Sequence, residues 1–366
     1  MSQKNLGKYK RFMPTNELNI FVHYQKKQMK IVTGASGMLG AHFLLELSKQ
    51  NDQVVGIKRE TSDVEWVKRL FKFEEPRFHK HLWDKIIWRN ADLSDIFSLE
   101  DALFDATEVY HCAAMVNVVN ARESIILDNN VIGTQHLIDV LVDLPQQIRL
   151  LHVSSISALG KPEAGNTITI STEWKSDKKQ SPYSVSKHYS ELEAWRGANE
   201  GLEVISVLPG VILGIAPKLA PSSTPFNYVQ SGKKQTTLGL VGLVSVLDVV
   251  HHSLALMTIK EAIGKRFILV SDSWTFKKLM QEIAATLGIE PKLIVISKKK
   301  LHFLSKLESV FRLFTGKKKR LSASTIDAIT NDFIYDGQEV VALTNINYSA
   351  ISKEIGRVGR WMNLIN

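Results

Sequence analysis

The run Lys30-Ile31-Val32-Thr33-Gly34-Ala35-Ser36-Gly37-Met38-Leu39-Gly40 restricts the fold of this chain more than any other stretch. A short β-branched run leads into three glycines spaced three apart, and Ala41-His42-Phe43-Leu44-Leu45-Glu46-Leu47 then reads as helix. A strand, a glycine turn and a helix N-terminus in that order make an anion site. The turn lets backbone N–H groups approach a pyrophosphate, and the helix dipole favours its negative charge. The bland alternative is a glycine-rich β–α turn that binds nothing. The flanking strand and helix favour dinucleotide binding, with Gly34, Ser36, Gly37, Met38, Leu39 and Gly40 as the contacting residues.

Gln53 to Ile57 reads as a second strand that closes a β–α–β unit. An Asp or Glu after it would bond the ribose 2′-hydroxyl and repel a 2′-phosphate. Lys58-Arg59 stands there instead, Ser36 adds a hydroxyl, and a planar guanidinium suits a phosphate monoester. This favours NADP(H), with NAD(H) as the alternative. A solvated basic strand end beside Glu60 is the competing reading.

Residues 61–85 are amphipathic and read as helix, and Ile86-Ile87-Trp88 as a third strand ending in Asn90-Ala91-Asp92-Leu93-Ser94. Asp92, with Leu93 beside it, either receives an adenine amino group or caps a helix over Ile96 to Leu103. Glu108 to Ala114 reads as a fourth strand ending in Ala113 and Ala114, small enough for a cofactor to lie against the backbone. His111 and Cys112 read as packing residues. A helix containing Asn129 to Thr134, a fifth strand from Arg149 and a sixth over Leu202 to Leu208 follow. Strands alternating with helices from 30 to 210 imply a parallel, doubly wound α/β sheet.

Ser181-Pro182-Tyr183-Ser184-Val185-Ser186-Lys187 opens a helix that runs to about Ala198. Tyr183 and Lys187, four apart, share one face of it. A phenol is a poor acid or base at neutral pH, and a nearby ammonium lowers its pKa by favouring phenolate. Ser155, at the end of the fifth strand, is placed to hold a carbonyl oxygen in line with that proton. A Tyr/Lys pair on a helix is usually only surface, but its position after the nucleotide turn and a strand-end Ser-Ser points to catalysis.

Bulk properties narrow the classes. The 366 residues are 44% hydrophobic and 23% charged, ordinary for a globular protein with one large or two modest domains. The longest nearly uncharged apolar stretch, Leu238 to Leu247, is far short of the about 20 residues that cross a bilayer. Cys112 is the single cysteine, which rules out an intrachain disulfide and fits a reducing, cytoplasmic setting. Of the net charge of +9, the first 28 residues hold +5 (Lys4, Lys8, Lys10, Arg11, Lys26 and Lys27 against Glu17), leaving +4 for the rest. No basic face for nucleic acid is therefore expected. Residues 1–28 lack the apolar core of a secretory signal and make a poor transit peptide, so they read as a disordered tail or an upstream start.

The motifs TGASGMLG at 33–40, DLSD at 92–95, HCAA at 111–114, NNVIGT at 129–134, VSS at 153–155, YSVSK at 183–187 and LPG at 208–210 occur together in order. From Met29 onward the chain resembles an extended short-chain dehydrogenase/reductase of the NAD-dependent epimerase/dehydratase superfamily. The resemblance implies a Rossmann-type doubly wound sheet with a smaller C-terminal α+β substrate domain. It implies Ser155, Tyr183 and Lys187 as the catalytic trio and Asn130 as support for a proton-relay water. It also implies that Lys187 holds the nicotinamide ribose and that Pro209 and Val211 touch the nicotinamide. Many relatives carry Arg before that proline; Leu208 stands here.

Nucleotide-sugar 4,6-dehydratases place acids just after the catalytic Ser, and Ser155-Ile156-Ser157-Ala158-Leu159-Gly160 has none. The form resembles dihydroflavonol reductases and 3-beta-hydroxysteroid dehydrogenases instead. The expected activity is hydride transfer between a nicotinamide and a carbonyl or alcohol of a small apolar substrate. An NAD-dependent nucleotide-sugar epimerase and a non-catalytic dinucleotide-binding regulator are the alternatives.

The expected division is 29–210 for the dinucleotide domain with 246–270 returning to it, and 211–245 plus 271–366 for the substrate domain. Asp248 reads as a helix cap, Trp274 to Gly288 as an amphipathic helix, and Asn347 to Gly356 as part of a terminal helix. His251-His252 reads as packing, since no partner is spaced for a metal. Leu301 to Gly316, apolar at helical spacing between Lys298–Lys300 and Lys317–Arg320, resembles a helix of the steroid- and flavonol-type members. Such a helix caps an apolar pocket, lies on an anionic membrane through 298–320, or packs as a lid on its own domain. Many relatives pair through two helices, which makes a homodimer the expectation.

Overall fold

Short β-branched runs that are apolar on both faces can be satisfied only inside a sheet covered by helices on each side. The fold is seen in a computed structural model that describes residues 29–51, 53–116, 123–176, 180–217, 223–290, 292–315 and 322–365. The leader 1–28 and Lys317–Arg320 lie outside the described residues.

In chain order the first half contains β1 (Met29–Thr33), α1 (Met38–Gln50), β2 (Val54–Lys58), α2 (Glu65–Glu74), α3 (His79–Trp83), β3 (Ile86–Asn90), α4 (Ile96–Leu103) and β4 (Ala106–His111). Next come α5 (Glu123–Leu127), a π-helical turn at Asp128–Ile132, α6 (Gly133–Asp143), β5 (Arg149–Val153), β6 (Thr167–Ile168), α7 (Pro182–Asn199) and β7 (Glu203–Pro209). The remainder holds β8 (Val211–Leu213), α8 (Thr224–Gln230), β9 (Gln235–Thr236), β10 (Leu240–Ser245), α9 (Val246–Leu256), β11 (Arg266–Leu269), β12 (Asp272–Thr275) and α10 (Phe276–Thr286). It ends with β13 (Ile294–Val295), α11 (Lys298–Thr315), α12 (Ala323–Thr330), β14 (Ile334–Tyr335), α13 (Gln338–Thr344) and α14 (Ile351–Ile365).

Seven strands form one all-parallel sheet in the order β11-β7-β5-β4-β1-β2-β3. This is the doubly wound arrangement expected from the alternation of elements. Successive residues alternate faces. Ile31, Val55, Val109, Leu150 and Val204 pack with α4, α6 and α7, while Val32, Val54, Tyr110, Leu151 and Ile205 pack with α1, α2 and α9. Strand order reverses beside β1, which has β2 on one side and β4 on the other. The crevice at the carboxyl ends of these strands is where open α/β sheets take ligands. A second sheet, β12-β10-β8, is built from the C-terminal half, and β11 returns from that half to edge the large sheet.

Several boundaries differ from expectation. The stretch 61–85 is two helices broken near Pro76 rather than one. Trp274 sits in β12, and α10 begins at Phe276 because the Thr275 hydroxyl accepts from Lys278 N–H at 3.1 Å. Asp248 does not cap its own helix. Ser245 does so, accepting from Leu247 N–H at 3.2 Å, while Asp248 accepts from Ser349 N–H at 3.0 Å.

Candidate active site

The turn after β1 needs glycine for two separate reasons. Gly34 has φ +64°, a left-handed conformation, and a Cβ there would stand 2.7 Å from Ala113 Cα at the exit of β4. A Cβ on Gly40 would stand 2.3 Å from the Gly34 carbonyl oxygen. The turn is therefore pressed against β4 on one side and its own helix on the other. Gly37 is the N-cap of α1 and no side chain bonds the helix N-terminus, which leaves the positive end of its dipole facing the crevice. Trp66 holds the turn from outside, its indole N–H donating to the Ser36 carbonyl at 2.9 Å. That contact, between residues thirty positions apart, had no signal in the sequence.

A groove of about 390 Å³ runs from this turn across the sheet ends. Gly34, Ser36, Gly37, Lys58, Arg59, Asp92, Leu93, Ala113 and Ala114 line it, joined by Ser62, Met115 and Asn129. Met38, Leu39 and Gly40 lie just behind as the first turn of α1. Asp92 is not the cap of α4. Asp95 takes that role, accepting from Ser98 N–H at 3.4 Å, while Asp92 Oδ1 accepts from Ser94 N–H at 2.9 Å and Ser94 Oγ at 2.7 Å. The Ser94 bonds, aided by the Arg59 charge, hold the Asp92 carboxyl below its usual pKa. The glycine cradle, the small Ala113-Ala114 wall and the basic rim fit a dinucleotide.

Beyond the groove wall, Ser155, Tyr183, Lys187 and Asn130 gather around the N-terminal half of α7. Ser181 caps that helix by accepting from Ser184 N–H at 3.1 Å, and Pro182 opens it. Ser155 caps the following 3₁₀ turn, accepting from Ser157 N–H at 3.1 Å, and its hydroxyl shares a hydrogen bond with the Tyr183 phenol. Lys187 is only 5% exposed, and its Nζ donates to the Val153 carbonyl at 2.8 Å. Pro209 is buried at the end of β7, and Val211 opens β8 exposed.

The electrostatics depart from the simple expectation. Burial raises the Tyr183 phenol, and the Ser155 hydrogen bond opposes that rise. Lys187 is itself pulled down to about 8 by burial. A desolvated ammonium bonded to a carbonyl is a weaker source of phenolate stabilisation than the spacing of the two residues suggests. The Asn130 side-chain amide is committed to Met115 N–H at 2.6 Å, the Met115 carbonyl at 3.0 Å and Ser186 Oγ at 2.9 Å. It braces the site rather than presenting a free amide. His111 is a packing residue, bonded between Thr33 Oγ1 at 2.8 Å and Thr134 Oγ1 at 3.1 Å. His252 packs likewise, its Nδ1 2.9 Å from Thr344 Oγ1.

A family model described as the NAD dependent epimerase/dehydratase family matches residues 30–265. "Sterol demethylase protein B" of Methylococcus capsulatus is 27% identical over 264 residues, covering 70% of this chain and 74% of that protein. A "putative dihydroflavonol 4-reductase" of Synechocystis sp. is 23% identical over 338 residues, 90% of this chain and 93% of that one. The crystal structure of gox2253 superposes with a TM-score of 0.78 at 19% identity, over 93% of this chain and 99% of that one, a likeness of fold.

Proposed function

Because the chain belongs to the NAD dependent epimerase/dehydratase family and is an NAD(P)-dependent oxidoreductase of the extended short-chain type, we propose that it reduces a carbonyl on a small apolar molecule with NADPH. The carrying observation is the hydrogen bond between the Ser155 and Tyr183 hydroxyls, with Lys187 buried one helical turn after Tyr183 and bonded to the Val153 carbonyl. When bound, the nicotinamide supplies or takes a hydride at the carbonyl or alcohol carbon. Tyr183 gives the proton to the substrate oxygen, and Ser155 donates a hydrogen bond to the same atom. Burial holds the Tyr183 phenol in its protonated form, from which it can donate to a substrate oxygen. Lys187 holds the nicotinamide ribose, Pro209 and Val211 flank the ring, and Asn130 fixes the frame.

The NADPH choice rests on Lys58, Arg59, Ser36 and Ser62 in the groove wall. The substrate class rests on the apolar form of the segment after Ser155 and on the names of the reductases above. No helix among the described residues is long and apolar enough to cross a membrane. Peripheral contact with an anionic membrane is proposed at α11, where Phe303 and Leu307 are exposed beside Lys299, Lys300 and Lys306. A homodimer is proposed through the exposed Ile125, Ile132, Tyr189 and Leu192 of neighbouring helices, and a cytoplasmic location through the lone cysteine.

The test is NADPH oxidation, followed by absorbance, against dihydroflavonols, 3-ketosteroids and aryl ketones, with Tyr183→Phe as control. Turnover by the natural chain, lost in Y183F with NADPH binding kept, is the expected result. Tightly carried NAD with no net NADPH consumption, and conversion of UDP-glucose, would establish the epimerase instead.

A further inference from the structure

The sheet face under α7 changes character along its strands. Ile31, Val109, Leu150 and Val204 belong to the apolar layer there. Two residues further on, in register across β1, β4, β5 and β7, stand Thr33, His111, His152 and Ser206, each no more than 1% exposed. Two charged side chains of α7 face this polar row. Lys187 bonds the Val153 carbonyl at 2.8 Å. Glu191, one helical turn later and 3% exposed, accepts from Ser154 Oγ at 2.7 Å, and its other oxygen stands 3.6 Å from Arg266 Nη1. A buried carboxylate is costly where an apolar residue would pack. Ser154 lies between the residue whose carbonyl holds Lys187 and the residue whose hydroxyl meets Tyr183.

We propose, resting on the reading of Ser155, Tyr183 and Lys187 as the catalytic groups, that Glu191 is a positioning residue which fixes the Val153–Ser155 strand end through Ser154 and sustains the ammonium of Lys187 by its charge. The groups facing Lys187 are His111 and Cys112 from β4 and its exit, His152 from β5 and Glu191 from its own helix. Burial keeps both histidines neutral and raises the Cys112 thiol, which leaves Glu191 as the carboxylate among them. Arg266 and His188 face Glu191 from the other side.

The test uses the full chain with NADPH and the carbonyl compound turned over fastest above. Glu191→Ala and Ser154→Ala each lower kcat about tenfold, the scale of a small misplacement of reacting groups, with KM for NADPH within about twofold. The double variant is no worse than E191A, because both remove one bond. Glu191→Gln keeps an oxygen for Ser154, so kcat near neutral pH stays within about threefold, while the alkaline limb of its pH profile moves to lower pH. In parallel, amide hydrogen exchange over 153–158 quickens in E191A and S154A but not in E191Q. Equal losses in kcat and KM, an unmoved alkaline limb in E191Q, or unchanged exchange in E191A overturns the proposal. Activity surviving in Y183F overturns the catalytic reading instead, so the two failures are told apart.

Discussion

Asn130 Nδ2 donates to Ser186 Oγ at 2.9 Å, while the same side chain grips Met115 through its N–H at 2.6 Å and its carbonyl at 3.0 Å. Met115 lines the groove and Ser186 precedes Lys187 on α7. One buried amide therefore couples the two halves of the site. Asn130→Ala strands the Met115 N–H and carbonyl, while Ser186 Oγ keeps its bond to the Tyr183 carbonyl, and is expected to cost about 2–3 kcal/mol of stability. It should weaken NADPH binding as well as turnover, whereas Y183F touches turnover alone. Thermal denaturation and an NADPH fluorescence titration check this, and a variant with natural values in both contradicts the brace.

What could be read in advance was whatever a single residue type enforces locally. Gly34 and Gly40 are demanded by backbone conformation and close approach, and the Tyr183–Lys187 spacing by the helix period. The parallel, doubly wound character of the sheet followed from the alternation of strands and helices, while its seventh strand, β11, did not. What escaped was set by tertiary contact or by competition between neighbouring caps. Trp66 on Ser36 and Glu191 on Ser154 join distant segments. Asp92 was read as a candidate α4 cap, but it bonds Ser94 while Asp95, adjacent to the helix, caps it. Two-residue strands such as β6 and β14 pair with each other across the fold and leave no periodic trace. The Tyr183 phenol went astray because spacing shows proximity but not desolvation.

Folding keeps His42 and His111 buried and neutral, with pKa values lowered from 6.5 to about 3. The unfolded chain protonates both near 6.5. Their contribution is therefore complete above that pH and is lost as pH falls toward 3, each by up to about 1.4 kcal/mol per unit. The urea midpoint should drop between about pH 6.5 and 5, before most carboxylates titrate. His42→Gln should flatten that slope, and an equal slope in the variant would contradict the assignment.

Arg357 ties the C-terminal helix to the nucleotide half. It is 8% exposed, bonds Glu354 at 2.6 and 3.0 Å and pairs with Glu74 of α2, while Glu354 also accepts from Ser245 Oγ at 3.1 Å. Arg357→Ala leaves Glu354, 4% exposed, as an unpaired buried charge. The expected cost is about 3–5 kcal/mol. Burial already raises the Glu354 pKa, so protonation should relieve part of the loss as pH falls. Denaturant titrations of R357A and of R357M/E354Q at two pH values check it. The double variant, with no charge stranded at the buried position 354 and only the half-buried Glu74 left without its guanidinium, should recover most of the stability.

The proposed preference for NADPH over NADH turns on Arg59. It follows β2 and enters the groove wall beside Lys58, Ser62 and Ser36, while Glu60 and Asp63 are exposed outside that wall. The carboxylate in the wall, Asp92, is engaged by Ser94. A 2′-phosphate would meet cations and hydroxyls; a bare 2′-hydroxyl would find no carboxylate at the strand end to receive it. Arg59→Ala should weaken NADPH about tenfold or more, since a charge-assisted hydrogen bond contributes about 1.5–3 kcal/mol, and leave NADH within about twofold. Binding of NADPH by the natural chain should fall more steeply with added salt than binding of NADH, and R59A should lose most of that difference. Fluorescence titrations of both cofactors at low and high salt measure all of these. Parallel losses for NADPH and NADH in R59A would show that the guanidinium supports the groove rather than reading the phosphate.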